Sequence, residues 1–138
     1  MNFNLSEEHL LIRDTARSFA QKELMPGVIE RDNSQQFPSD EVKKMAELGF
    51  FGMMVSPNYN GGGMDTISYV LAIEEISKCD ASAAVIMSVN NSLVCWGLEE
   101  YGTNEQKNKY LTKLASGELL GAFCLSEPEA GSDATSQK

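Results

Sequence analysis

The sequence predicts an all-α fold: an orthogonal bundle of about five to six helices, followed by one short C-terminal strand. Three observations carry that expectation. Apolar residues recur three and four positions apart over most of the chain. Capping residues and glycines divide that pattern into helix-sized pieces. Only from Leu119 onward does the pattern change, to a short apolar run that Pro128 keeps from continuing as helix.

Each element has its own warrant. Ser6 is an N-cap, and Glu7 and Glu8 behind it suit the positive end of a helix dipole. Ile12, Ala16, Phe19 and Ala20 then form one apolar stripe. Pro26 and Gly27 interrupt this helix, which resumes through Val28 and Ile29. Pro38 and Ser39 open the next, and Gly49 closes it. The stretch SPNYNGGGMD, residues 56 to 65, is a loop, since three successive glycines hold no regular element. From Asp65 to Lys78 the apolar Ile67, Val70, Leu71, Ile73 and Ile76 cover most of a helix. Asp80 caps another, which runs to about Tyr101 and stops at Gly102. TNEQ, residues 103 to 106, has capping-box spacing and starts a helix carrying Tyr110, Leu111 and Leu114, ended by Gly117.

Leu119 to Leu125 is expected to be a strand. A lone strand has no ladder partner and is not stable by itself. Either it lies on the helices as extended chain, or it begins a sheet whose remainder is missing from this chain. The second reading divides the chain into a helical domain over 1–118 and the start of a truncated β-domain over 119–138.

Composition narrows the function classes. Of 138 residues, 42% are hydrophobic and 22% charged, as in a soluble globular domain. The net charge of −9 repels nucleic-acid phosphates and anionic lipid, so neither is an expected partner. MNFNLSEEHL has no basic region followed by an apolar one, so no secretory signal is expected. The uncharged run Ala81 to Leu98 holds Ser82, Ser88, Asn90, Asn91 and Ser92, too polar for a membrane span and suited to a buried helix. Cys79, Cys95 and Cys124 are odd in number and lack a CxxC, which reads as reduced core thiols of a cytoplasmic protein. His9 is the single histidine, so no metal-ligand spacing exists.

The segment FCLSEPEAGSDA, residues 123 to 134, carries the clearest chemistry. Glu127 precedes a proline and is biased to extended backbone. The Ser126 hydroxyl would then project from a strand end. Gly131 can take positive φ and admit a ligand close to the backbone. Free N–H groups around Gly131 and Ser132 could form an anion nest. Such a site suits a polar ring joined to a phosphate; a solvent-exposed turn without a ligand is the alternative.

FCLSEPEAGSDA resembles the signature segment of the flavin-dependent acyl-CoA dehydrogenases. LSEEHLLIRDTARSFAQKELMP resembles that family's opening helix, PNYNGGGMD its proline–tyrosine–glycine loop, and SVNNSLVCWGLEEYGTNEQKNKYL the helix pair that follows. The likeness spans essentially the whole chain in order, and SVNNSL leans towards the short-chain, butyryl-type members. It implies a helical N-terminal domain and the first strand of a middle β-domain. Carried over by position, Phe123, Leu125 and Ser126 would lie along the flavin of FAD, with Ser126 donating near N1 and O2. Gly131 and Ser132 would meet the pyrophosphate, and Ser132 also the acyl-CoA.

The resemblance also places the helix with Asn90 to Leu93 beside the acyl pocket, with Leu93 and Val94 as possible lining. Asn90 and Asn91 themselves read better as core amides satisfied by backbone or loops. Glu74 and Glu75 could suggest a catalytic base, but the family's base lies in its C-terminal domain, so a solvated face or a helix contact is expected. No catalytic residue is therefore expected here. Lys107, Lys109 and Lys113 read as surface, His9 as an exposed helix face, and Met53 and Met54 as core filling.

The resemblance thus implies the N-terminal part of an acyl-CoA dehydrogenase, inactive alone, whose parent takes an acyl-CoA substrate, passes electrons to an electron-transfer flavoprotein and forms a homo-oligomer. An acyl-CoA oxidase fragment and a stand-alone helical interaction module are the alternatives.

Overall fold

The computed structural model describes residues 4–138. Helix α1 spans Glu7–Phe19 and continues through a wider π turn, Ala20–Leu24. The Ser6 hydroxyl accepts from the His9 N–H, and His9 Nδ1 accepts in return from the Ser6 N–H, so His9 completes the capping box. The stripe is as expected, with Ala16, Phe19 and Ala20 buried and Ile12 packed against them. Gly27, at φ +78°, turns the chain into α2, Val28–Ser34, and α3 follows over Ser39–Glu47.

Arg31 ties these pieces together. Its guanidinium donates to Glu41 at 2.9 Å, to Asp80 at 3.0 Å and to the Leu24 carbonyl at 2.6 Å. The loop after α3 has one 3-10 turn, Pro57–Tyr59, and its glycines are held across the loop rather than along it. Gly62 N–H reaches Gly52 O at 2.8 Å, Gly63 N–H reaches Val55 O at 2.9 Å, and Met64 N–H reaches Met53 O at 2.8 Å.

Helix α4, Thr66–Ser77, is capped by Asp65, whose carboxylate accepts from the Ser68 N–H at 2.8 Å. Helix α5, Ala81–Ser88, is capped by Asp80 and runs on through a π segment, Val89–Cys95, into α6, Trp96–Tyr101. The whole rod, Ala81–Tyr101, is long and apolar enough to cross a membrane by length and composition. Here it packs on α4 and on the last helices, and its two asparagines are buried. The TNEQ capping box forms as expected and opens α7, Asn104–Gln106, which passes through a π segment, Lys107–Leu111, into α8, Thr112–Ala115. Six helical rods result among the described residues, within the expected number.

The main core joins α1, α3, α4 and α5 through Phe19, Leu24, Met45, Phe51, Ile76 and Met87. A smaller one joins the loop to the last helices through Val55, Cys95, Leu111 and Leu114. Leu119 to Leu125, expected as a strand, forms no ladder; among the described residues the only β pairing is a single antiparallel bridge, Glu127 with Ala130. The physical reason is the one that makes any lone strand unstable: its edge groups have no neighbouring strand to bond.

Three further expectations are corrected. His9 is not on a free face, because its Nε2 lies 3.0 Å from Asp65 and joins the start of α1 to the cap of α4. Cys124 is exposed rather than a core thiol, since the segment that carries it lies over the helices and not among them. Gly131 does not adopt positive φ.

Candidate functional site

The chemistry-bearing segment leaves the helical body at two bonds. Leu119 N–H donates to Lys113 O at 3.1 Å, and Gly121 N–H donates to Asn90 Oδ1 at 2.9 Å. From there the backbone runs without regular structure to the bridge, in which Glu127 and Ala130 exchange N–H···O bonds of 3.0 and 3.1 Å across Pro128 and Glu129. The proline fixes the turn and the bridge closes it, so Ser126 and Gly131 come to its two flanks. The end of the chain folds back on this turn: Gln137 Nε2 donates to Leu125 O, and the Lys138 N–H to the Glu127 carboxylate at 3.0 Å. Asp133 accepts from the Thr135 and Ser136 hydroxyls, which hold its carboxyl below the usual range.

Phe123 is 54% exposed, Leu125 is also exposed, and Ser126, Gly131 and Ser132 lie open beside them. Neither the Ser126 nor the Ser132 hydroxyl has a partner among the described residues, and the same holds for the N–H groups of Gly131 and Ser132. A Cβ at Gly131 would meet nothing within 4 Å. The chain's own packing therefore does not require a glycine there. Two exposed apolar side chains next to unpartnered donors are what a flat ring joined to an anionic tail would need, so these residues fit a flavin nucleotide.

Leu93 and Val94 separate. Leu93 is 45% exposed, whereas Val94 lies under the tail: a Cβ on Gly121 would come within 2.8 Å of three Val94 carbons. The structure thus brings Val94, but not visibly Leu93, to the candidate segment. Asn90 and Asn91 are core amides as expected, satisfied by loop and helix backbone. Sequence reasoning missed the bond from Asn90 to Gly121. The signal was present as a glycine inside an apolar run opposite two asparagines inside an uncharged helix. Two surface grooves, of 820 and 440 Å³, share no residue with the segment.

Glu74 and Glu75 are both engaged by cations. Glu75 is buried between α1 and α4, where the Arg17 guanidinium, helped by Lys78, pulls its carboxyl down to about 2 against the opposing effect of burial. Glu74 is exposed and paired with Lys78. Lys113 pairs with Glu118, and no group of three or more potential metal ligands occurs among the described residues.

A family model described as "Acyl-CoA dehydrogenase, N-terminal domain" matches residues 6–118. The chain belongs to the acyl-CoA dehydrogenase family. A short-chain specific acyl-CoA dehydrogenase of Clostridium acetobutylicum is 44% identical over 138 residues, which is 100% of this chain and 36% of that protein. The solved butyryl-CoA dehydrogenase of Megasphaera elsdenii superposes with a TM-score of 0.93 at 38% identity, over 100% of this chain and 37% of that one. An acyl-CoA dehydrogenase of Bacillus anthracis, solved with FAD, superposes with a TM-score of 0.89 at 33% identity, over 98% of this chain and 23% of its own. The chain spans about a third of the length of the curated relatives it matches. These family members have the helical N-terminal fold seen here.

Proposed function

We propose that the chain is the N-terminal part of an FAD-dependent acyl-CoA dehydrogenase that acts on a short-chain acyl-CoA. The observation that carries the reading is the exposed segment from Phe123 to Ser132, whose apolar side chains and unpartnered donors fit a flavin nucleotide. It stands in a chain that matches short-chain dehydrogenases from end to end. Division of the chain into a helical domain over 1–118 and the start of a β-domain over 119–138 belongs to the same proposal. So do a cytoplasmic location, homo-oligomeric assembly and an electron-transfer flavoprotein as acceptor.

The chemistry that FAD would supply when held there is acceptance of a hydride from the thioester substrate. Ser126 would donate its hydroxyl to the ring edge where negative charge develops, and a donor fixed there favours the charged state. Phe123 and Leu125 would pack on the ring and exclude water from it. The N–H groups of Gly131 and Ser132 would bind the pyrophosphate, and the Ser132 hydroxyl the acyl-CoA. Val94, under Gly121, and Leu93 would border the acyl chain. Glu75 is held low by Arg17 and is a poor base for the α-proton, and the base is expected in the C-terminal domain of the family, so the chain alone should not turn over.

The test is expression of the complete product of the gene, with assay of flavin content and of butyryl-CoA-dependent reduction of an artificial acceptor. Stoichiometric FAD and activity are expected there, with no activity from the 138-residue chain. A colourless, inactive complete product would overturn the reading.

A further inference from the structure

We propose that Asn90 is a positioning residue that sets the register of the segment Leu119 to Ser126 on the helical body, and thereby the placement of the Ser126 hydroxyl. The second half of this proposal rests on the flavin reading given above.

Asn90 is fully buried in the π segment Val89–Cys95. Its Nδ2 donates to Phe51 O at 2.9 Å and to Leu114 O at 3.1 Å, and its Oδ1 accepts the Gly121 N–H at 2.9 Å. One amide thus joins the loop after α3, the end of α8 and the C-terminal segment. Its neighbour Asn91 is buried alike and makes three like bonds, to Phe50 O, Met87 O and the Met53 N–H. None of those partners is in the C-terminal segment. Of the two asparagines only Asn90 bonds the C-terminal segment, through Gly121, and only Asn90 also bonds α8, through Leu114 O.

Gly121 is fixed from a second side by Val94, on which its backbone lies too closely to admit a Cβ. Beyond Gly121, no hydrogen bond among the described residues ties 122–126 to the helices; the Leu125 carbonyl bonds only to Gln137 of the same tail. The bond from Asn90 is thus the last hydrogen bond before Ser126 that anchors the segment to the body. Register matters in extended chain, because a slip of one residue exchanges its two faces. Such a slip would put Cys124 and Ser126 where Phe123 and Leu125 stand.

Amide exchange by NMR on the 138-residue chain tests the attachment. In the wild type, Gly121 should be protected while 122–126 exchange freely. In Asn90→Ala, Gly121 should exchange about tenfold faster, relative to Leu111 in the core, than it does in Asn91→Ala. Equal acceleration in the two variants, or an unprotected Gly121 in the wild type, overturns the proposal.

The placement of Ser126 is read in the complete gene product from the absorption spectrum of its bound flavin and from kcat. Asn90→Ala should shift the spectrum and lower kcat, and Asn91→Ala should change neither per folded molecule. Should Asn90→Ala not fold, Gly121→Ala disturbs the same contact through Val94 and leaves both asparagines in place. An unshifted spectrum in whichever variant folds overturns the proposal. If the wild-type product holds no flavin, the flavin reading and the Ser126 placement fall together, while the exchange pattern still decides whether Asn90 fixes the tail.

Discussion

The Arg17 guanidinium grips the Glu75 carboxylate with two bonds, Nε to Oε2 and Nη2 to Oε1, each of 3.0 Å. Glu75 is only 6% exposed and Arg17 reaches it from a partly exposed position, so this fork joins α1 to α4 at the edge of the core. Lys78 adds a further bond of 2.9 Å. Of the two readings the sequence allowed for Glu75, a solvated face and a helix contact, the contact is realised.

Acid should weaken this link in a defined window. The Glu75 carboxyl sits below its ordinary value of 4.5, at about 2. A depressed carboxyl stabilises the fold fully above its unfolded pKa and loses that contribution as pH falls through the folded one. Asp65, also lowered to about 2 by the Ser68 N–H and then by His9, acts in the same direction. Urea titrations should show stability falling between pH 4.5 and 2. Glu75→Gln should lose about 2 kcal/mol at neutral pH and show a shallower fall in that window. Glu23→Gln, at an exposed pair with Lys44, should change little. A Glu75→Gln curve parallel to wild type would remove Glu75 from the acid transition.

Two glycines should respond to alanine in opposite ways. A Cβ on Gly61 would lie 2.0 Å from the Val55 carbonyl oxygen, which already accepts the Gly63 N–H at 2.9 Å. Neither backbone can retreat without breaking the loop, so Gly61→Ala should cost about 3 kcal/mol or more. Gly97 lies inside α6 with nothing within 4 Å of its would-be Cβ. There the alanine only removes backbone freedom from the unfolded chain, and Gly97→Ala should gain about 0.5–1 kcal/mol. Thermal melts of the two variants check both signs.

The helices were legible because their signals are local. Ser6, Asp65, Asp80 and Thr103 cap as their side chains dictate, and Gly49 and Gly117 turn at positive φ where the pattern stops. What the sequence hid depends on distant partners. His9 reads as surface until the cap at Asp65 lies beside it, and Gly121 reads as an ordinary strand residue until Asn90 and Val94 meet it. The π segments were equally hidden, since their apolar spacing differs little from that of an α-helix over a single turn. The residues of the candidate site stood out as a motif, but nothing in their spacing tells a turn in solvent from a ligand cradle.

Ser126 separates those two readings. In the complete gene product Ser126→Ala should leave folding and flavin content intact, since its hydroxyl has no partner among the described residues. Turnover should fall by a barrier of about 3 kcal/mol, the typical cost of losing one donor aimed at developing charge. Steady-state kinetics normalised to bound flavin measure this. An unchanged rate would make Ser126 ordinary turn chemistry.

The three cysteines offer a direct check on where the packed body ends. Cys95 is buried in the smaller core, and desolvation pushes its thiol up to about 12, so almost no reactive thiolate forms at pH 8. Cys79, partly buried behind Glu75 and Asp80, is raised as well. Cys124 is exposed, between Phe123 and Leu125 in the segment outside the helical body. With a thiol-disulfide reagent at pH 8, Cys124 should react first, Cys79 more slowly, and Cys95 only on unfolding. Urea should release Cys95 along the global transition, because its burial depends on Val55 and Leu111 staying packed around it. If Cys95 instead reacted at the rate of Cys124 in the native chain, the loop and the last helices would not form the closed core described, and the anchor for Gly121 beside it would be lost too.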